Sequence, residues 1–387
     1  MSEQQISKSK QKRLEQKNAR AKQKKKKAIS VMWSILIPVV IVGLIVGIAL
    51  LYKSSQLDYG KYLNADGTIQ SGAANINYQA MSFSKAELLP SDETVENDIS
   101  SVLESHKFIS EDASKVVDET DTISIAYDSI LDGASYNSVS ADNAMELTIG
   151  NATLGSEVDS ALIGHKAGDI VKAVQTYESD YSDETLAGKT VEYAITILGI
   201  YELPVLDDAF VQANLSDEAS TAEEYRQNII DNYYNTNLTS AIEDYVRENV
   251  SANAVPEKYV DNLVKIYYQQ NEEQYNYYNE MYYSYLGYYM YDSVYGMFGY
   301  ETQEEYDAFV KEQALEDAKY SLALQNIYYA ENMTNTQAEI DEYFTNQGYE
   351  DSAYSDMLER YGKKYTAHLA LEGRVIEHLC DIVSITE

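Results

Sequence analysis

Residues 121–210 carry Ile123-Ser124-Ile125-Ala126-Tyr127, Asp132-Gly133, Tyr136, Leu162-Ile163-Gly164-His165-Lys166-Ala167-Gly168-Asp169, Leu186-Ala187-Gly188-Lys189 and Glu202-Leu203-Pro204-Val205-Leu206-Asp207-Asp208-Ala209-Phe210. Apolar residues recur at every second position in 123–127, and again in 145–149 and 191–200. That is the period of a strand with one buried face. The Asp-Gly, Gly-Asp and Gly-Lys pairs supply turns. Between the strands there is room for one helix, over 157–162. The stretch predicts a small antiparallel sheet covered by a short helix.

The turn motifs and their order resemble the FKBP-type prolyl isomerase domain of the trigger factor family. That family also writes a strand, Asp-Gly, an aromatic, a helix ending Leu-x-Gly, Gly-Asp, Leu-Ala-Gly-Lys and Glu-Leu-Pro-x-Leu-Asp-Asp-x-Phe. The agreement holds over residues 121–210, continues more weakly to the C-terminus, and fails before residue 81. It implies an FKBP-like sheet domain over 119–204 and an elongated all-α chaperone domain with helical arms over 205–387; with the N-terminal transmembrane helix that composition alone suggests, the expected class is α+β.

Composition limits the rest. The net charge is -34, yet residues 1–30 hold eleven Lys and Arg against Glu3 and Glu15. Those nine net positive charges leave about -43 on the remainder. So acidic a body argues against nucleic acid and against lying flat on an anionic membrane. A single cysteine, Cys380, excludes an intramolecular disulfide framework.

Residues 1–30 read as a basic cytoplasmic tail with no apolar stripe. No charge interrupts 28–52, and Trp33 and Tyr52 bracket the apolar run as interfacial anchors. About twenty apolar residues cross a bilayer core, so 31–52 is expected to be an uncleaved, single-pass signal anchor. Its basic N-terminal flank would place the C-terminal domains outside the cytoplasm. Residues 53–80, rich in Ser, Gly, Asn and Asp, are expected to be a flexible linker, and 81–118 a strand and helix leading into the sheet domain. Ser91 should cap that helix, with Val95, Ile99, Val102 and Leu103 on one face.

Beyond Phe210 the period becomes helical. Three capping boxes, Thr221-x-x-Glu224, Thr302-x-x-Glu305 and Thr336-x-x-Glu339, head apolar-periodic runs. Residues 256–300 contain fourteen tyrosines. The residues alone leave two readings open: a client-binding surface, since tyrosine offers broad contact at little entropic cost, or a helix core with tyrosine in place of leucine. The resemblance favours a surface for unfolded secreted chains, with Tyr267, Tyr278, Met281, Tyr282, Tyr285 and Tyr289 as its candidate residues.

Prolyl isomerisation breaks no covalent bond. Its barrier of ~18–20 kcal/mol is amide resonance, and an enzyme needs an apolar pocket with a few donors that favour the twisted amide. No acid–base pair, cofactor, metal or small-molecule substrate is expected. The resemblance implies a lining of Tyr127, Tyr136, Met145, Leu154, Tyr181 and Tyr193, with the Tyr181 hydroxyl and the Gly155 N–H as donors. Asn137 stands where the family has Asp, and Ser129 where it has Gly. Gly155-Ser156-Glu157-Val158 replaces Ile-Pro-Gly-Phe, reducing the pocket floor to Val158. Two readings follow: an isomerase with a partly degenerate pocket, which Val158→Phe should strengthen, or a non-enzymatic holdase. A tyrosine-rich ligand-binding surface protein is the alternative from another class. His368, His378 and Cys380 fit plain packing better than a metal set.

Overall fold

The computed structural model describes residues 57–387, so the expected basic tail and signal anchor lie outside the described residues. Among the described residues no helix is long and apolar enough to cross a membrane. The chain divides into two compact units, one built from 90–233 and the other from the flanking segments.

The expected linker is ordered from Leu57 onward, which corrects that part of the reading. Tyr59, Leu63 and Ile69 are buried against helices of the second flank. The Asn64–Thr68 turn is closed by Asn64 N–H donating to the Thr68 carbonyl at 2.8 Å and Thr68 Oγ1 donating to Asp66 Oδ1 at 2.7 Å. Small polar residues here make turns rather than slack chain. Strands β1 (Ala73–Asn75) and β2 (Ser82–Ser84) and the short helix α1 (Lys85–Leu88) follow.

The sheet unit opens with α2 (Asp92–Ser105), where Ser91 Oγ accepts from Thr94 N–H and Val95 and Ile99 are buried. Strands β3 (Phe108–Ile109), β4 (Thr122–Leu131), β5 (Ala134–Val139), β6 (Met145–Thr148), β7 (Ile170–Thr176) and β8 (Thr190–Glu202) form one antiparallel sheet. β4 is central, with β8 along one edge and β6 and β5 along the other; β7 and β3 pair with the far edge of β8. The β4–β5 hairpin turns on Asp132 (φ 54°) and Gly133 (φ 81°), the two left-handed residues of a type I′ turn.

One face of that sheet is the core. Ile123, Ile125 and Tyr127 from β4, Val171 and Ala173 from β7, and Tyr193, Ile195 and Ile197 from β8 meet Val158 and Leu162 of α3 (Ser156–Leu162). Helix α4 (Asp208–Asn214), capped by Asp207, joins Val95 and Ile99 in a smaller cluster with Tyr225 at the start of α5 (Ala222–Asn249).

In the other unit the second half of α5 is followed by β9 (Ser251–Ala254), α6 (Glu257–Leu286), α7 (Val294–Met297), α8 (Gln303–Ala330), α9 (Gln337–Asn346), α10 (Asp351–Tyr361), α11 (Lys363–Ile382) and β10 (Ser384–Thr386). α8 is buried on several sides, through Val310, Ala314, Ala318, Leu322, Ala323, Leu324 and Ile327. Thr302 and Thr336 cap their helices, and Thr336 with Glu339 completes a reciprocal capping box. The region is helix-rich but not all-α. β9 pairs antiparallel with β1, and β10 runs parallel to β2. The chain is therefore mixed α+β, with a small sheet unit and a helical C-terminal region.

Candidate functional site

On the sheet's core face, Tyr127 and Tyr193 meet edge to face, ring centroids 5.7 Å apart. They come from adjacent strands, where the period of two puts both rings on the α3 side. Both are nearly sealed, at 7% and 6% exposure. Burial raises both phenols above their usual range; the neighbouring Tyr177 hydroxyl adds to the rise at Tyr193, and the nearby Tyr136 and Tyr177 to that at Tyr127. No sequence motif marks Tyr177. It links the buried and exposed rings: it packs on Tyr181 at 4.7 Å and donates its hydroxyl to the Leu154 carbonyl at 3.4 Å.

The pocket residues separate into two sets. Leu154, Gly155 and Val158 are buried with the two inner tyrosines, and Met145 is half-buried. Tyr136 and Tyr181 stand open at 43% and 44% exposure, and Asn137, next in the chain to Tyr136, is exposed as well. Asn137 Nδ2 donates to the Tyr127 hydroxyl at 3.3 Å. Ser129 lies at the register shift of the β4–β5 pair, where its hydroxyl donates to the Asn137 carbonyl at 2.8 Å and accepts from the Asn137 N–H at 3.0 Å. A serine there pins the β-bulge that a glycine would leave free.

Two expectations about this pocket are corrected. The Gly155 N–H already donates to the Ala152 carbonyl at 3.0 Å and is not free for a substrate. Val158 is 0% exposed, so it belongs to the core beneath the site rather than to an open floor. Gly155 itself has φ +114°, and a Cβ there would lie 1.9 Å from Gln175 Oε1. The same Gln175 oxygen accepts from the Glu157 N–H at 3.1 Å. Buried Asp159 holds the preceding loop, its Oδ2 accepting from Gly150 and Ala152 N–H at 2.8 and 2.9 Å. No local pattern marked Gln175 or Asp159, because both act through backbone contacts to a loop.

A second candidate surface is the distal half of α6. Tyr267 does not belong to it: its hydroxyl donates to Asp317 Oδ2 at 2.6 Å, and burial raises its phenol well above the usual range. Tyr278, Met281 and Tyr282 are half-buried. Tyr285 is 80% exposed, and Tyr277, Tyr283, Leu286, Tyr288, Tyr289 and Met290 are exposed with it. Gly287, at φ 77°, ends the helix and turns the chain back, and Tyr289 stacks on Tyr283 at 4.8 Å. The sequence stripe thus holds three environments, and only its C-terminal end is a surface. His368, His378 and Cys380 face different neighbours: Gly67 O with Tyr259, Glu331, and Thr239 respectively.

No family model matches the chain. It is 28% identical over 200 residues to the trigger factor of Caldicellulosiruptor bescii, covering 49% of this chain and 43% of that protein. With the trigger factor of Bacillus cytotoxicus the identity is 25% over 268 residues, 66% of this chain and 59% of the relative. A shorter match, 36% over 85 residues, relates it to the trigger factor of Lacticaseibacillus casei, at 21% and 19% coverage. A solved trigger factor chaperone aligns at TM-score 0.39 and 17% identity over 81% of this chain and 73% of that one, a likeness too loose to add weight. The chain spans about half the length of the first two relatives. It is a sequence relative of the bacterial trigger factors over part of their length.

Proposed function

We propose that this protein is a folding factor of the trigger factor type, anchored by residues 31–52 and acting on unfolded chains outside the cytoplasmic membrane. The carrying observation is the exposed aromatic end of α6, where Tyr283, Tyr285, Tyr288 and Tyr289 stand clear of any core. Such rings give wide contact area with few torsions to freeze, and their hydroxyls stay hydrated. Many weak contacts suit a surface that must both hold and release. The anchor and its orientation rest on the charge-free run and the basic residues before it.

FKBP-type isomerisation on the sheet unit is part of the same reading, with Tyr136, Asn137 and Tyr181 as the reachable residues around the inner pair Tyr127 and Tyr193. Twisting the amide would have to be favoured by the Tyr181 hydroxyl and an apolar surround. The occupied Gly155 amide and sealed Val158 favour a second reading, a holdase whose pocket adds only a proline-tolerant contact.

The test uses the full chain in lipid nanodiscs with a denatured client. Suppressed aggregation together with faster proline-limited refolding supports the foldase. Suppression without acceleration supports the holdase. No suppression, with saturable binding to a defined wall polymer or host ligand, would replace both with a surface ligand-binding protein.

A further inference from the structure

Residues 58–70 fold back as a tight hairpin against helices of their own unit, with Leu63 bridged to Ile69 and the Gln70 N–H donating to the Tyr62 carbonyl at 2.9 Å. The helices, and the loop between α8 and α9, hold them by the backbone. Asn262 Nδ2 donates to the Asp58 carbonyl at 3.2 Å, Lys364 Nζ to Leu63 O at 2.9 Å, and Asn335 Nδ2 to Asp66 O at 2.8 Å. His368 Nδ1 donates to Gly67 O at 2.8 Å. Gln325 grips Ile69 at both ends, accepting from its N–H at 2.5 Å and donating to its carbonyl at 3.3 Å. This chemistry reads a polypeptide backbone and is indifferent to its sequence.

Side-chain selection is confined to three seats, the first taken by Tyr59, 4% exposed and edge to face with Tyr361 and Tyr365. Leu63 and Ile69, six residues apart and 0% and 3% exposed, insert among Leu263, Ile266, Ala314, Ala318 and Leu322. Gly67 passes so close to α11 that a Cβ would lie 2.4 Å from the Ala367 carbonyl carbon. The strap is also strained: Tyr62 has φ 71°, a left-handed conformation that bulky residues resist. Release would relieve that strain, but it would strip both partners from Gln325 and the Gly67 partner from His368 Nδ1, and both side chains are more than nine-tenths buried. Buried polar groups must stay paired, so a vacated groove calls for another backbone rather than a purely apolar ligand.

We propose that this groove is a second client-binding site, filled in cis by residues 58–70 and opened by their displacement. Its ligand is a segment of unfolded polypeptide that makes the same glycine turn, with two branched aliphatic residues six apart across that turn and an aromatic four positions before the first of them. The proposal rests on reading the helical unit as a client binder and adds where, and in what conformation, a client is held.

The experiment is hydrogen exchange on the full chain in nanodiscs, with and without a reduced, alkylated carrier protein as a permanently unfolded client. The amides of Thr68, Ile69 and Gln70 should exchange at least about tenfold faster than those of residues 322–327 in α8, since a displaceable strap opens without global unfolding. Client should accelerate them further and leave α8 unchanged. The paired variant Leu63→Ala with Ile69→Ala should keep its helicity and bind the client several-fold more tightly. Strap amides that exchange only together with α8, with or without client, would overturn the proposal. So would a variant that loses helicity or gains no affinity. Aggregation measured on the same samples separates the two claims. Suppression with an indifferent strap defeats the groove alone, and no suppression defeats the client-binding reading with it.

Discussion

The side-chain amide of Asn279 donates to the Tyr291 carbonyl at 2.8 Å and accepts from the Tyr291 N–H at 2.9 Å, the exchange that paired residues make across a sheet. It fastens the loop after α6 back onto the helix, with Tyr275 donating to the same carbonyl at 3.2 Å. Asn279→Ala leaves the Tyr291 N–H without this partner, a loss of about 1–3 kcal/mol in a shielded site. The expected result is local: exchange of the Tyr291 amide rises about tenfold or more while the global melt barely moves. An unchanged amide would mean the loop is held by its ring contacts alone.

Open and packed tyrosines of α6 and the turn after it should separate in their effects. Tyr285→Ser with Tyr289→Ser touches only open rings, so stability should hold within about 0.5 kcal/mol while client binding weakens several-fold. Tyr267→Phe removes a hydroxyl bonded to Asp317 and should do the reverse, lowering stability by about 1–2 kcal/mol and leaving client affinity intact. Melting curves and client titrations on the same three proteins decide it. Equal binding losses from both changes would contradict the division of the helix into core and surface.

Local rules were legible where local chemistry decides. Ser91, Thr302 and Thr336 cap helices because the acceptor and the N–H it satisfies lie three residues apart. The sequence does not mark β7 as a strand, because Ile170 and Val174 are apolar on the exposed face and blur the period of two. β5 is exposed almost throughout and gives no apolar alternation. The strap has the composition of a linker, and its partners Gln325 and His368 lie 256 and 301 residues away. Nothing in a run of Asn, Asp, Gly and Thr announces them. The pocket failed for a similar reason: its residue types point to a lining, but whether Gly155 N–H is free depends on the turn made by Ala152.

Acid should loosen the start of α9 through Glu339. Its carboxylate is held down to about 2 by the Thr336 backbone N–H first, then by the Thr334 hydroxyl, with Arg374 alongside. A depressed carboxyl contributes its full stability above its unfolded value of ~4.3 and loses it as pH falls toward the folded value. Wild-type stability should therefore decline between about pH 4.5 and 2. Glu339→Gln should flatten that part of the profile and lower stability at neutral pH. A Gln variant with the same acid limb would place the responsible carboxylate elsewhere.

Val158→Phe separates the sequence reading of the pocket from the observed one. If Val158 formed an open floor, a larger aromatic would complete it and raise isomerase activity. The side chain is instead fully enclosed on α3, in the cluster with Leu154, Leu162 and Tyr193. The turn before it cannot retreat, because Gly155 already abuts Gln175. Added ring volume in a filled core costs about 1–3 kcal/mol. The expected outcome is a lower melting temperature for the sheet unit, faster exchange along 156–162, and no gain in proline-limited refolding of a client. Faster refolding at unchanged stability would show that the ring finds space, which requires α3 to move off the sheet and the site to open in solution.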